Sequence, residues 1–294
     1  MSRRRHPTSV TSIASVATVE LDPAFCVHDM PSTKVNGAEI NFRLEGRAED
    51  PTVVLSNSLV SNLTMWDPQA RAMVAAGYRV LRYDTRGQGR SEVTIGPYTM
   101  EMLADDAVGL MNALDIERAS FCGLSKGGMT GLMLATLFSE RLECLIVAST
   151  AAHMPPRKMW DDRMKLVRQD GMGAIAELAV ERWFTAAGRR ANGNVVDAIR
   201  QGVLETPIEG YCACAEAIRD MDQRETIGAI TTPTLIAVGE YDKGTPVEAA
   251  RLLHGRIHGS ELIIFPGCAH LVNLEQAEAF SQVLLAFLDK HIEP

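Results

Sequence analysis

Short apolar runs alternate with longer amphipathic segments along this chain from about residue 35 onward. Between the runs, apolar residues recur at helical spacing, as at Leu103, Ala107 and Leu110. Repeated alternation of strand and helix indicates a parallel sheet with helices packed on both faces. The pattern predicts strands at residues 39–44, 52–56, 79–83, 119–122, 144–148, 234–238 and 262–265.

The alternation stops between residues 151 and 226, where the sequence has helical patterns and turn residues but no convincing strand. We therefore predict an α/β fold with a mostly parallel central sheet, helices on both faces and an inserted helical cap. In this division residues 30–150 and 227–294 form the core, and residues 151–226 form the cap. Residues 1–29 form an N-terminal extension.

Composition limits the partners and the compartment. With 294 residues, of which 46% are hydrophobic, the chain can bury a large core, and its net charge of -8 offers no broad basic face to nucleic acid. It has no run of about 18 apolar residues, so we expect no membrane partner. The six cysteines form no CxxC pair, which is typical of a reducing, cytoplasmic setting. The sequence leaves open whether the chain forms a homo-oligomer.

The N-terminal extension is basic, rich in serine and threonine, and free of acidic residues before Glu20. Organelle transit peptides have a similar composition. Two other interpretations are favoured: the segment is a disordered tail, or Met30 is the true start of the chain. All three interpretations stay open at the level of sequence.

One serine has the sequence context of a nucleophile. Ser125 lies in GLSKG, after the predicted strand 119–122 and before a helical pattern. In a nucleophile elbow, the sharp turn lifts the serine hydroxyl above the sheet edge, and small residues two positions away leave room for neighbouring backbone. Gly123 and Gly127 hold these positions. The pentapeptide alone fits a plain glycine-rich turn about as well.

Two further residues follow later strands in the chain order of a Ser-Asp-His triad. Asp242 comes after the predicted strand 234–238, and His270 comes after the strand 262–265. A histidine can take the serine proton, and an acid can orient that histidine. Glu240 is a rival acid, although it lies nearer to its strand. Order and position together predict that Ser125, Asp242 and His270 are catalytic.

A hydrolase that uses a triad of this kind also needs two N–H donors for the oxyanion that forms during acyl transfer. The backbone N–H of Lys126, at the predicted helix start, is one expected donor. The N–H of Leu59, in the loop after the strand 52–56, is the other.

Several motifs together resemble one known family. They are LSNSL, YDTRGQGRS, FCGLSKGGM, YCACAEAIRDMD, and GEYDKGTP with AHLVNLEQ. Over residues 33–291 the chain resembles the 3-oxoadipate enol-lactonase branch of the α/β-hydrolase superfamily. The resemblance implies an α/β-hydrolase core with a helical cap, no metal or other cofactor, and hydrolysis of an enol-lactone in the breakdown of aromatic compounds. By motif match it implies the same triad and the same two oxyanion donors.

Three residues depart from the pattern of that branch. Lys126 stands where the branch usually has an apolar residue, Gln88 replaces the histidine of RGHG, and Val60 replaces a glycine of the oxyanion loop. For Lys126 three interpretations stay open. Its amine can bind a substrate carboxylate or lower the pKa of the serine, or its aliphatic stem can cover the surface.

The expected substrate is a small-molecule lactone or ester, and the cap is expected to bind it. The candidate substrate-binding residues are His153, Trp160, Arg163 and Trp183. An anionic substrate needs local cations in this acidic protein, and the candidates are Lys126, Arg157, Arg163 and Arg182. Plain packing of the tryptophans and solvated helix charge for the arginines are the alternatives.

The sequence therefore favours a serine hydrolase that opens a lactone or carboxylic ester without a cofactor. The alternatives are a carboxylesterase or lactonase for larger substrates, a non-catalytic ligand receptor on the same fold, and a cofactor-free oxygenase or perhydrolase.

Overall fold

The computed structural model describes residues 31–292, so the predicted extension of residues 1–29 lies outside the described part. The strands are β1 (Ser32–Val35), β2 (Ala38–Glu45), β3 (Thr52–Ser56), β4 (Arg79–Tyr83), β5 (Ala119–Leu124), β6 (Leu142–Ala148), β7 (Thr234–Gly239) and β8 (Glu261–Phe265). The helices are α1 (Asp67–Ala75), α2 (Met100–Ala113), α3 (Lys126–Leu137), α4 (Arg157–Asp170), α5 (Gly173–Trp183), α6 (Ala186–Ala191), α7 (Gly193–Glu205), α8 (Ile208–Asp220), α9 (Val247–Arg256), α10 (Val272–Glu275) and α11 (Ala277–His291).

The eight strands form one sheet in the order β1-β2-β4-β3-β5-β6-β7-β8. The pairs β1/β2 and β2/β4 are antiparallel, and the pairs from β4/β3 to β7/β8 are parallel. The predicted α/β class with a mostly parallel sheet is confirmed. Because β3, β4, β5, β6, β7 and β8 are parallel, the loops that follow these six strands meet at one edge of the sheet.

The seven predicted strands are all present, and two of them, β3 and β4, have the predicted bounds. β1, which pairs with β2 at the edge of the sheet, was not among the predicted strands. In this four-residue strand only Val35 is buried. A short, exposed edge strand carries almost no apolar pattern, and for that reason periodicity does not reveal it.

Successive residues of the central strands point into two apolar layers, one on each face of the sheet. In β5, Phe121 packs into the layer that includes α2 and α3, whereas Cys122 packs into the layer that includes α1 and α11. Both side chains are fully buried. This arrangement explains why the strands read as continuous apolar runs rather than as alternating ones.

Helices α4 to α8 lie between β6 and β7 in the chain. A single β-bridge between His153 and Asp222 joins the two ends of this insertion. α8 lies directly on the loop after β4, where a Cβ added to Gly210 would be 1.9 Å from the carbonyl oxygen of Gly87. The inserted helices therefore sit against the carboxyl edge of the sheet. Within residues 31–292, no helix has the length and apolar character needed to cross a membrane.

Two glycines allow α3 to start close to the sheet. A Cβ on Gly127 would lie 2.2 Å from the carbonyl oxygen of Ser56, and a Cβ on Gly123 would lie 2.1 Å from the carbonyl oxygen of Gly127. Real Cβ atoms do not approach backbone this closely, so only glycine fits at either position. Steric exclusion of any side chain thus explains why the GLSKG motif has glycine at both of these positions.

We expect Gly127→Ala to destabilise the fold by at least about 2 kcal/mol, because the new methyl group clashes with backbone that cannot move without distorting β3. Gly255→Ala is the matched control, since Gly255 lies in α9 and a Cβ there would meet no atom within 4 Å. The control is expected to gain about 0.5 kcal/mol, as glycine-to-alanine changes in helices do. Urea denaturation measures both. Equal stabilities of the two variants would contradict this account of the turn.

Candidate active site

Ser125 occupies the sharp turn between β5 and α3. Its backbone has φ 56° and ψ -113°, a conformation that residues other than glycine rarely adopt. The turn is held from the neighbouring strand: Ser125 N donates to Ala148 O at 2.9 Å, and Thr150 Oγ1 donates to Ser125 O at 2.8 Å. Both bonds come from β6 or the loop after it, so the sheet itself fixes the serine in its strained position.

Asp242, on the loop after β7, and His270, on the loop after β8, lie side by side. His270 Nδ1 is 2.8 Å from Asp242 Oδ2, and both side chains are buried. Asp242 accepts three further hydrogen bonds, from the N–H of Gly244 at 2.8 Å, from the N–H of Thr245 at 3.0 Å and from Thr245 Oγ1 at 2.8 Å. The carboxylate is therefore held from both of its oxygen atoms.

These contacts determine the charge of the pair. Burial opposes ionisation of Asp242, but the interaction with His270 and the hydrogen bonds from His270 and Thr245 outweigh it and lower the pKa of the carboxyl group. Since the ionised carboxylate can only accept a hydrogen bond, Nδ1 of His270 carries the proton. The opposite nitrogen, Nε2, then keeps a free lone pair, as a proton acceptor requires.

The loop that carries His270 turns back across the end of β7. A Cβ on Gly239 would lie 2.0 Å from Ala269 O, and Tyr241 N donates to Cys268 O at 2.8 Å. This path brings the histidine from the outermost strand, β8, toward the middle of the sheet edge, where Ser125 lies. Within the described residues no hydrogen bond joins the Ser125 hydroxyl to His270, a loose geometry that is common in enzymes without substrate.

Glu275, which was not among the predicted site residues, fixes the histidine loop and the inserted helices to each other. Its Oε2 accepts from Ala269 N at 2.7 Å, and its Oε1 accepts from Thr185 N at 2.9 Å. Leu271 N also donates to Trp183 O at 3.0 Å. A glutamate five residues after the histidine, at the end of a short helix, gives no sequence signal that distinguishes it from a surface residue.

The loop after β3 has an N–H group that is free to act as a donor. Ser58 N donates to Met65 Sδ at 3.4 Å, and Val60 N donates to Gln88 Oε1 at 2.8 Å. Between them, the N–H of Leu59 has no acceptor among residues 31–292. The N–H of Lys126, the first residue of α3, has no acceptor within its own helix either.

A buried aspartate holds this loop in place. Asp84 Oδ1 accepts from Leu63 N at 2.7 Å, and its Oδ2 accepts from Asn41 Nδ2 at 2.8 Å and from Arg90 N at 2.9 Å. Asp84 and Gln88 both come from the loop after β4. Gln88, named above only as a departure from the family pattern, accepts the hydrogen bond that holds Val60 at a φ of 55°.

Lys126 lies in the interior of the protein. Its side chain is 0% exposed, and its Nζ has no hydrogen-bond partner in the described residues. Burial lowers the pKa of the amine, while the nearby Cys214 and Asp84 oppose that effect. The interpretation in which the aliphatic stem covers the surface is therefore wrong. The other two interpretations, which involve substrate binding or the serine, stay predictions.

Two of the predicted substrate-binding residues lie near each other on α4. The guanidinium carbon of Arg163 is 5.1 Å from the centre of the Trp160 ring, and Arg163 Nε is buried without a hydrogen-bond partner in the described residues. Trp160 Nε1 donates to Met154 O at 3.0 Å. This indole is thus fixed, and it offers a flat face to the arginine.

The remaining predicted cap residues lie in different surroundings. Trp183 stacks on His270, with ring centroids 6.4 Å apart and planes 21° from parallel. His153 Nδ1 is 3.2 Å from Met221 O, at the base of the insertion. Burial and the charge of Arg163 lower the pKa of Arg182, and the charge of Asp242 partly offsets this effect. Arg157 instead forms an exposed ion pair, as expected for solvated helix charge.

Comparisons with known proteins identify the family of this chain. A profile of the alpha/beta hydrolase fold family matches residues 51–277. The chain is 36% identical over 251 residues to 3-oxoadipate enol-lactonase 2 of Acinetobacter baylyi, a match that covers 85% of this chain and 93% of that protein.

Two solved structures are also similar. The enol-lactonase from Burkholderia xenovorans LB400 matches with a TM-score of 0.86 and 40% identity, over 88% of this chain and 99% of that one. A thermophilic esterase from Thermogutta terrifontis, with malate bound, matches with a TM-score of 0.82 and 31% identity, over 90% of this chain and 98% of that one. These findings confirm the resemblance seen in the motifs. The chain belongs to the α/β-hydrolase family, in its enol-lactonase-like branch.

Proposed function

We propose that this protein is a serine hydrolase that opens a lactone or carboxylic ester through a covalent acyl-enzyme, and that its substrate resembles 3-oxoadipate enol-lactone. One observation carries the proposal. The buried Asp242-His270 hydrogen bond lies at the same sheet edge as the strained Ser125 turn. The enol-lactonase relatives support the choice of a lactone.

In the proposed mechanism the Ser125 hydroxyl attacks the carbonyl carbon of the ester. His270 Nε2 takes the hydroxyl proton, and the Asp242 carboxylate stabilises the imidazolium that forms. Because β6 and the loop after it hold the serine backbone rigidly, rotation of the side chain is the motion that aligns the hydroxyl with the histidine in this mechanism.

The carbonyl oxygen becomes an oxyanion in this step. The N–H groups of Leu59 and Lys126 are the proposed donors, each contributing about 3 kcal/mol of transition-state stabilisation, as measured donors of this kind do. Their conformations are fixed before substrate arrives, by Gln88 on one side and by the start of α3 on the other. Such preorganised donors cost no rearrangement during the reaction.

The intermediate then collapses and the ring oxygen leaves as an enol, which becomes a ketone. His270 returns its proton to that oxygen and afterwards activates a water molecule, which attacks the acyl-enzyme and frees Ser125. Apart from that water molecule, each step uses side chains and backbone of this chain. The products are an oxo acid from an enol-lactone, or an acid and an alcohol from an ester.

The charge around the site favours an anionic substrate. Arg163 on α4 and Arg182 on α5 make no ion pair with an acid among residues 31–292, and the charge of Asp242 acts on Arg182. A net charge of -8 otherwise repels anions, so unpaired arginines at the site are the natural partners of a substrate carboxylate. We propose that Trp160 and Trp183 line the same pocket. The stated role of His153 as a substrate contact stays a prediction.

We expect Asp242→Asn to lower kcat by about 10³ to 10⁴, because the amide cannot hold His270 in the tautomer with a free Nε2. Glu240→Gln is the matched control. Glu240 is exposed and its Oε2 accepts from Gly267 N at 2.8 Å, so its change is expected to leave kcat nearly unaltered. Steady-state kinetics on an enol-lactone measures both variants. A larger loss for Glu240→Gln would assign the acid to the rival residue.

Covalent labelling tests the nucleophile. We expect a fluorophosphonate to modify the wild-type protein at Ser125 and to leave Ser125→Ala unlabelled, since only an activated serine reacts with this reagent. Intact-mass spectrometry after mixing with a slowly turned over lactone is expected to show the acyl adduct on the same residue. Equal labelling of both proteins, or no labelling of the wild type, would overturn the serine-hydrolase mechanism and favour a ligand receptor.

A substrate panel distinguishes the lactonase from the esterase alternative, which the similarity to the Thermogutta terrifontis esterase favours. We expect kcat/KM for an enol-lactone that carries a carboxylate to exceed kcat/KM for neutral aryl esters and for larger acyl-homoserine lactones. Turnover of the aryl esters with no turnover of the enol-lactone would replace the lactonase by a carboxylesterase.

A further inference from the structure

A set of buried hydrogen bonds connects two loops of the site that lie far apart in the sequence. One loop follows β3 and carries the proposed oxyanion donor Leu59, and the other follows β8 and carries His270. Met65 lies in a 3₁₀ turn, Leu63–Trp66, after the first of these loops, and Asn273 lies in α10, directly after the second. Both side chains are buried. The two loops meet at these two residues.

Asn273 holds the backbone of the 3₁₀ turn. Its Nδ2 donates to Met65 O at 2.8 Å. The backbone of Asn273 is itself fixed from α1, because Gln69 Nε2 donates to Asn273 O at 2.8 Å. Gln69 is also fully buried, and its Nε2 lies 3.3 Å from Ser281 Oγ of α11. The short helix that follows the histidine is thus joined to the turn by a side chain whose own backbone is fixed.

The sulfur of Met65 continues this connection to the oxyanion loop. Ser58 N donates to Met65 Sδ at 3.4 Å. Ser61 Oγ lies 3.0 Å from the same sulfur and 2.9 Å from Ser58 O, so these two acceptors share its proton. Ser58 O and the N–H of Leu59 belong to one planar peptide group. The contacts that fix Ser58 therefore also fix the direction in which the Leu59 N–H points.

The oxyanion loop is also held from its other side, by Gln88 at Val60 and by Asp84 at Leu63. The connection through the methionine sulfur differs from these contacts because it reaches the segment of the proposed general base. In the transition state the oxyanion donor and the general base act at the same time, on atoms of one substrate. A displacement of about 1 Å between such groups can cost about 10²-fold in rate.

Asparagine is a costly residue at position 273. Its Oδ1 is buried and has no hydrogen-bond partner among residues 31–292. A buried polar atom without a partner costs free energy, and a leucine, which has the same number and branching of heavy atoms, carries no such atom. Packing alone therefore does not explain the asparagine. What the amide supplies is the hydrogen bond to Met65 O.

We propose that Asn273 and Met65 are positioning residues that keep the oxyanion donor Leu59 at a fixed distance from His270. Neither side chain contacts the substrate, and both act through the backbone of the 3₁₀ turn and of Ser58. This inference rests on the proposed hydrolase function and adds to it two residues outside the triad and the oxyanion donors.

Two substitutions break the connection at different points. Met65→Leu removes the sulfur acceptor and nearly conserves the volume of the side chain. Asn273→Leu removes the amide and keeps its branching. Met73→Leu is the matched control, because Met73 of α1 is equally buried and its sulfur makes no hydrogen bond in the described residues. The readouts are kcat and KM on an enol-lactone, and Ki for phenylboronic acid, which forms a tetrahedral adduct on an activated serine.

In each of the two variants we expect kcat to fall about tenfold and Ki for phenylboronic acid to rise about tenfold, with KM within about twofold of the wild type. A displaced donor stabilises the tetrahedral oxyanion less, whereas it alters ground-state binding little. The expected loss is smaller than the 10² to 10³ that follows complete removal of a donor. The control is expected to change none of these values.

The double variant tests whether the two residues act through one connection. We expect Met65→Leu/Asn273→Leu to lose about tenfold in kcat, no more than either single variant, because each change already breaks the connection. A loss of about a hundredfold, the product of two independent effects, overturns the proposal. So does a loss of kcat in the single variants with an unchanged Ki. If Asn273→Leu does not fold, Met65→Leu decides alone, and wild-type kcat and Ki in that variant overturn the proposal.

The proposed hydrolase function fails by a different result. We expect Ser125→Ala to be inactive and to lose its affinity for phenylboronic acid, since the adduct forms on that hydroxyl. Activity and affinity equal to those of the wild type would remove the proposed nucleophile, whatever the other variants do. If Ser125→Ala behaves as expected while Met65→Leu and Asn273→Leu match the wild type, the hydrolase stands and the positioning role falls.

Discussion

The close approach of α3 to β3 is the constraint on which the site depends. The backbone at Gly127 packs against the carbonyl of Ser56, with no room for a side chain. That contact sets the angle at which the helix leaves β5, and the angle in turn forces Ser125 into its positive φ. The energy of the strained residue is offset by hydrogen bonds from β6 and its loop, to Ser125 N and Ser125 O. Rigidity at this turn fixes the nucleophile and the first N–H of the helix together.

Much of this fold follows from the sequence, because the parallel strands are long, apolar and regularly spaced. The strands β3 and β4 match their predicted bounds, and the order of Ser125, Asp242 and His270 along the chain follows the order of β5, β7 and β8 across the sheet. Chain order can thus predict that the three residues reach one edge. It cannot predict the return of the histidine loop over Gly239, which results from backbone contacts.

The interactions that sequence reasoning missed are long-range hydrogen bonds without a local pattern. Glu275 connects the histidine loop to α6 through Ala269 and Thr185, residues far apart in the chain. Asp84, on the loop after β4, accepts a hydrogen bond from the backbone N–H of Leu63, on the loop after β3. Each is a single polar residue whose neighbours in sequence look ordinary. Likewise, the burial of Lys126 is invisible in its sequence, since a lysine at a helix start is usually exposed.

Unpaired polar atoms also mark the site. Of the nine buried side-chain atoms without a partner in the described residues, four follow neighbouring strands at the same edge: Asn57 after β3, Thr85 after β4, Lys126 after β5 and Ser149 after β6. Native interiors rarely leave such atoms unpaired, because each one costs free energy. These four atoms lie at the carboxyl ends of the parallel strands, beside the Ser125 turn. The protein thus tolerates costly unpaired groups where the rigid sheet fixes the backbone around the proposed nucleophile.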